Sequence, residues 1–155
     1  MDFIENRARS IASMALDGLY ERSKAIASNT ANALTPGYQR KVVNFEDSLK
    51  NIINKENEKE EIKLQNALEY QKNPNKVLYG QTPEQIAILN TDLKKDYIIS
   101  VDNDTSDAID TNGNNVNIEE EMMDSAKTGI QYQVVASLIS KSYSQLSQVI
   151  NGENQ

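Results

Sequence analysis

Carboxylates are the groups in this chain best able to do chemistry, and their spacing decides what chemistry is open to them. The sequence holds 23 Asp and Glu but no His and no Cys, so the commonest general base, the thiol nucleophile and the soft metal ligands are all missing. Paired carboxylates can still carry out acid–base work. The densest group, Glu119-Glu120-Glu121, lies where the positive end of a helix attracts acids, and capping is the simpler reading. A second set, Asp110, Asn112, Asn114 and Glu121, falls on positions 1, 3, 5 and 12 of a calcium loop. Position 6 of such a loop needs Gly and here is Asn115, with no helix evident ahead of it, so Asn112-Gly113 reads as a tight turn. No Gly-rich phosphate loop and no nucleophile elbow occur. The expectation is a protein that is not an enzyme, with no metal, no cofactor and no small-molecule substrate.

Composition points the same way. The 155 residues suit one domain, but 38% hydrophobic content, no Trp and two Phe beside seven Tyr leave little for a large core. The net charge of −7 is unevenly spread: residues 1–50 and 126–155 each carry +1, whereas 51–125 carry −9. The ends can therefore come together without strong repulsion, while the middle is a solvated acidic segment. An acidic middle and no basic stripe argue against nucleic acid as a partner. No apolar run reaches the ~18 residues of a membrane span, so the chain is not expected to be an integral membrane protein. Glu5, Arg7, Arg9 and Asp17 interrupt the first segment, which excludes a cleavable secretory signal. Any export is expected to keep the N-terminus.

Positioning falls to long helices at the two ends. Ile4, Ala8, Ile11, Ala15, Leu19 and Ile26 mark one face of a helix over about residues 3–33. Its Ala content lets a partner approach closely, and its narrow stripe needs one. Thr35-Pro36-Gly37-Tyr38 stops it: proline disfavours helix at Thr35, and Gly37 can take positive φ at the third position of a type II turn. Tyr38 to Phe45 reads as an extended loop anchored by Val42, Val43 and Phe45. A helical pattern then runs from Phe45 to about Tyr70, with the charged stretch Lys55–Lys63 as an exposed or mobile part, and ends at Asn73-Pro74. Residues 77–115 show no long helical period, and Tyr97 to Val101 is the best strand candidate.

The last segment carries the strongest signal. Asn117 followed by Glu120 is a capping-box pattern. Two seven-residue series follow, one of Met122, Gly129, Ala136, Tyr143 and Ile150, the other of Ile118, Ser125, Tyr132, Ile139 and Leu146. Met123, Ala126, Ile130, Val134, Val135, Leu138 and Val149 widen this seam beyond what one partner helix covers. Low helicity in dilute monomer and a gain on association are therefore expected. Gly18 and Gly129 sit inside the two helices at about 1 kcal/mol each relative to Ala, so each is either tolerated or marks a close helix crossing in an assembly.

Segment 25–46, AIASNTANALTPGYQRKVVNFE, resembles the signature of flagellar basal-body rod and hook axial proteins. Residues 112–150, with Gly113, Asn114, Val116, Glu119, Glu121, Met122 and Tyr132 at matching places, resemble the proximal rod proteins of that family. The two matches cover the ends alone. The resemblance implies a mainly α fold with the terminal helices paired antiparallel in a coiled-coil-like bundle around a channel. The middle would be partly irregular, with room for a short strand or hairpin. Three parts follow: 1–45 with the axial helix and turn, an acidic variable 46–115, and the axial helix of 116–155. The implied role is torque transmission in the proximal rod, in the periplasm, after type III export. Implied partners are copies of itself, other flagellar rod proteins, and the adaptor at the export gate and MS ring. A cytoplasmic helical adaptor or export chaperone is the alternative, and a carboxylate-dependent hydrolase a remote third.

Overall fold

A computed structural model describes residues 2–72, 82–92, 94–105 and 113–151, with side chains described from 7 to 148 in the terminal helices. The Asn73-Pro74 stop, the Asp110 and Asn112 loop positions, and the side chains of Ile4, Val149 and Ile150 lie outside these residues. The chain is mainly helical, with four helices and one two-stranded antiparallel sheet among the described residues. It divides into two compact units, one of 1–45 with 99–155 and one of 46–98.

In the first unit, α1 (Asp2–Ala31) and α4 (Ile118–Asn151) lie against each other. The Arg9 guanidinium sits 5.3 Å from the Tyr143 ring centre, and Asn29 reaches Glu121, so the two chain directions are opposed at these contacts. Met14, Leu19, Ala25 and Ile26 are the buried apolar side chains of α1. The helix ends by tightening: the Asn32 N–H is shared between the Ser28 and Asn29 carbonyls at 3.1 Å each, and Thr35 N–H donates to Asn32 O at 2.9 Å. The expected turn follows, with Gly37 at φ 70° and Tyr38 N–H donating to Thr35 O at 3.2 Å.

Residues 38–45 depart from the expected loop. Lys41–Asn44 form strand β1, paired antiparallel with β2 (Ser100–Asn103), Val43 opposite Val101. The strand candidate at 97–101 thus starts three residues later and ends two later, because β1 sets the register while Ile98 N–H donates to Ser48 Oγ at 2.9 Å. Two strands alone are marginal in water, and α1 supports them. Val43 and Phe45 are 2% and 5% exposed, and Arg22 donates to Val43 O at 2.9 Å with its guanidinium 4.8 Å from the Phe45 ring centre.

The second unit is α2 (Glu46–Lys72) and α3 (Pro83–Asn90). An eight-residue helix stands where no helical period was evident. Its start is fixed locally, by Pro83 in the first turn and a reciprocal capping box between Thr82 and Gln85. The Lys55–Lys63 stretch is helix, and two of its residues are buried rather than exposed. Ile62 is 7% exposed, and Lys59 Nζ donates to Thr91 O at 2.6 Å, placing a cation at the C-terminus of α3.

Gly18 does not mark a helix crossing. A Cβ built there would lie within 2.7 Å of Phe45 Cγ, Cδ1 and Cδ2, so the glycine is the seat of that ring. Overpacking typically costs ~1–3 kcal/mol, against about 1 kcal/mol gained in helix propensity. Gly18→Ala should therefore lower stability in urea denaturation, and Gly18→Ala with Phe45→Leu should recover part of the loss. Equal or greater stability of the single variant would contradict this seating.

Candidate functional site

Two features of the first unit could do work: a polar node near the start of α4, and the apolar surface along that helix. The node begins with Asn117, whose Oδ1 accepts from the Glu119 N–H at 3.0 Å and opens α4, while Glu119 and Glu120 stay exposed. One turn in, Glu121 is fully buried. Its role is therefore more than satisfying the helix dipole. Arg40 Nε donates to Glu121 Oε1 at 2.5 Å, and Asn29 Nδ2 donates to Glu121 Oε2 at 3.2 Å.

Asn29 is 1% exposed and uses its whole amide. Its Oδ1 accepts from Lys41 N–H at 2.8 Å and Tyr38 OH at 3.2 Å, and its Nδ2 also donates to Lys41 O at 2.9 Å. Tyr38 OH lies 3.0 Å from Ser28 Oγ, which explains why the turn's aromatic is half-buried while Thr35, Pro36 and Gly37 are exposed. Arg40 fans out over three carboxylates, adding Asp124 at 2.9 Å and Asp104 at 3.4 Å to Glu121. Burial works against the charged guanidinium, but bonding to Glu121 and the surrounding acids outweigh it and raise its pKa above the usual arginine value. Because its folded-state pKa lies above the unfolded one, deprotonation of Arg40 removes this contribution only in strong alkali.

The residues before α4 close the node. Asn115 Oδ1 accepts from Arg40 N–H at 2.6 Å, and its Nδ2 donates to Asp104 O at 3.1 Å. Asn114 Nδ2 lies 2.9–3.0 Å from the carbonyls of Asn32, Ala33 and Thr35, in the turns just past the end of α1. Its Oδ1 accepts from Val116 N–H at 2.8 Å. Asn114, weighed from sequence as a calcium-loop position, and Asn115, the misfit at position 6, are thus both committed to backbone groups. Among the described residues no cluster of acids has the arrangement to hold a metal ion, and no helix is long and apolar enough to cross a membrane.

The residues expected to mediate packing divide between two surfaces. Leu19 and Ile26 are buried, while Ile11, Ala15, Ala136, Ile139 and Leu146 are half-buried. Met122, Ala126, Gly129, Tyr132 and Tyr143 are exposed. The α4 residues most enclosed are instead Glu121 and Thr128, with Asp124, Val135 and Ser142 half-buried. Ile139 and Leu146 share that side at helical spacing, so periodicity caught the later part of the line and missed its polar start at Glu121, Asp124 and Thr128. A wide apolar surface is left uncovered: Met122, Met123, Ile130, Val134 and Leu138 are 55–66% exposed. Gly129 faces open space where a side chain would begin, with nothing within 4 Å among the described residues.

No family model and no curated protein matches this chain.

Breaking a buried ion pair from one side typically costs ~3–5 kcal/mol. Arg40→Met should lose stability of that order in chemical denaturation, because Glu121 is left without its cation. Arg40→Met with Glu121→Leu should recover much of the loss. A near-neutral single variant would mean that the node does not hold the unit together.

Proposed function

We propose that the chain is a structural subunit of an axial assembly, the proximal rod of the bacterial flagellar basal body. In this reading α1 and α4 form an antiparallel, coiled-coil-like pair that is completed by neighbouring copies and other rod proteins around an export channel. The observation that carries it is the apolar surface of α4 left uncovered after α1 has packed. Several large apolar side chains exposed along one helix commonly mark a protein–protein contact. The signature residues add support. Thr35-Pro36-Gly37-Tyr38 forms a defined turn, and Asn114, Glu121 and Arg40, all within the matching segments, are tied into one node beside it. A shaft that transmits torque needs each pair of helices locked in register, which a buried, geometrically demanding node supplies.

Export without signal cleavage, a periplasmic location and contact with the adaptor at the export gate and MS ring follow from the same reading. Fractionation decides it. The chain should co-purify with isolated basal bodies and stay with the rod after the hook and filament are removed. Recovery in the cytosol alone would overturn the rod and favour the adaptor or chaperone.

Gly129 gives a variant that reads assembly without disturbing the fold. A side chain there meets open space in the free chain and gains about 1 kcal/mol of helix propensity. Gly129→Leu should therefore be at least as stable as the parent, yet incorporate poorly into basal bodies and reduce swimming in soft agar. Normal incorporation would remove Gly129 from any close helix contact.

A further inference from the structure

On the side of α4 away from Glu121 and Thr128, one row is built with an internal symmetry. Glu119, Met123, Ala126, Ile130, Val134, Ser137 and Lys141 follow at gaps of 4, 3, 4, 4, 3 and 4 residues. With 3.6 residues per turn, these gaps hold all seven within roughly 40° of one direction. All seven are exposed, Met123 by 65%, Ile130 by 63% and Val134 by 55%. The gap order reads the same from either end, and Ile130 is its centre. A second copy running in the opposite direction therefore meets the row position for position.

We propose that this row joins two copies of the chain through α4, antiparallel, with a two-fold axis at Ile130. In that register each Ile130 meets its counterpart, Met123 lies opposite Ser137, and Val134 lies opposite Ala126. Large residues face small ones, so the helices can approach and interdigitate. A helical serine can donate its hydroxyl to the carbonyl four residues back, so Ser137 brings no unsatisfied donor to the contact. Each end of the row places Glu119 against Lys141 of the other copy. Neither side chain forms an ion pair within its own chain among the described residues. A parallel pairing in register would instead stack Glu119 on Glu119, Lys141 on Lys141 and Met123 on Met123, with repulsion at both ends.

A single helix row on each copy makes a small contact beside the ~800 Å² per partner of a standard stable interface. A contact of this size is expected to form and dissolve reversibly over the micromolar range. A two-fold contact of this kind closes on itself and leaves no free end for growth. It hides part of the α4 surface in the free chain and must open before head-to-tail assembly. That last consequence rests on the assembly reading; the dimer does not.

Because the chain has no cysteine, single-cysteine variants test the register. Met123→Cys mixed with Ser137→Cys under mild oxidation should give a disulfide-linked dimer, and Met123→Cys alone should not. Self-linking of Met123→Cys as efficient as the mixture would overturn the antiparallel register. Sedimentation equilibrium of the unmodified chain across the micromolar range should show monomer and dimer; monomer throughout would overturn the dimer. Glu119→Lys and Lys141→Glu should each weaken association about tenfold, as expected for replacing two exposed attractions by repulsions. The double variant should recover it, and failure to do so would overturn the charge pairing. A dimer in a chain absent from basal bodies would leave this inference standing and remove the rod.

Discussion

A carboxylate as completely enclosed as Glu121 costs several kcal/mol in lost hydration unless charged and hydrogen-bonding partners replace the water. The first unit is organised around supplying them. Arg40 brings the charge from the stretch between the turn and β1, Asn29 brings an amide from the last turns of α1, and Asn115 fixes the Arg40 backbone. Helix end, turn, strand start and α4 entry are thereby held in one geometry. Moving any of them leaves a buried polar atom without a partner.

The node supplies what the apolar core lacks. The buried apolar side chains of α1 are Met14, Leu19, Ala25 and Ile26, while the buried residues of α4 are Glu121 and Thr128, both polar. Small-residue faces tolerate sliding, since one turn of displacement replaces one shallow contact with another. Hydrogen bonds do not tolerate a shift of about 5 Å. Packing thus brings the helices together, and the polar contacts choose which turn meets which.

Features generated by neighbours in sequence were legible without coordinates. Periodicity gave α1, α2 and α4, and Pro36-Gly37 gave a turn whose φ the structure repeats. The node was hidden because its bonds join residues 81 and 92 positions apart, and asparagine or arginine carries no periodic signal. Glu121 had a sufficient local explanation as an acid in a first helical turn, Asn114 had one as a position of a candidate calcium loop, and Arg40 stood unremarked in the stretch read as an extended loop. The strands escaped for another reason. Four-residue strands take their register from their partner, so Tyr97-Ile98 looked as suitable as Val101. For α3 the local signal existed in Thr82, Pro83 and Gln85, but eight residues are too few for periodicity to reveal.

The sheet also sets how the middle of the chain is connected. Asn44 and Ser100 are directly paired, so the chain leaves the first unit and returns to it at adjacent points. Cross-strand neighbours stand about 5 Å apart, and loop-closure entropy grows slowly with the length of what lies between them. Residues 46–98 therefore hang from the terminal unit as an insertion rather than a link in its folding. Their length and composition can drift, and a longer or shorter segment can take their place, while the helices at the ends keep the same spacing and the same node.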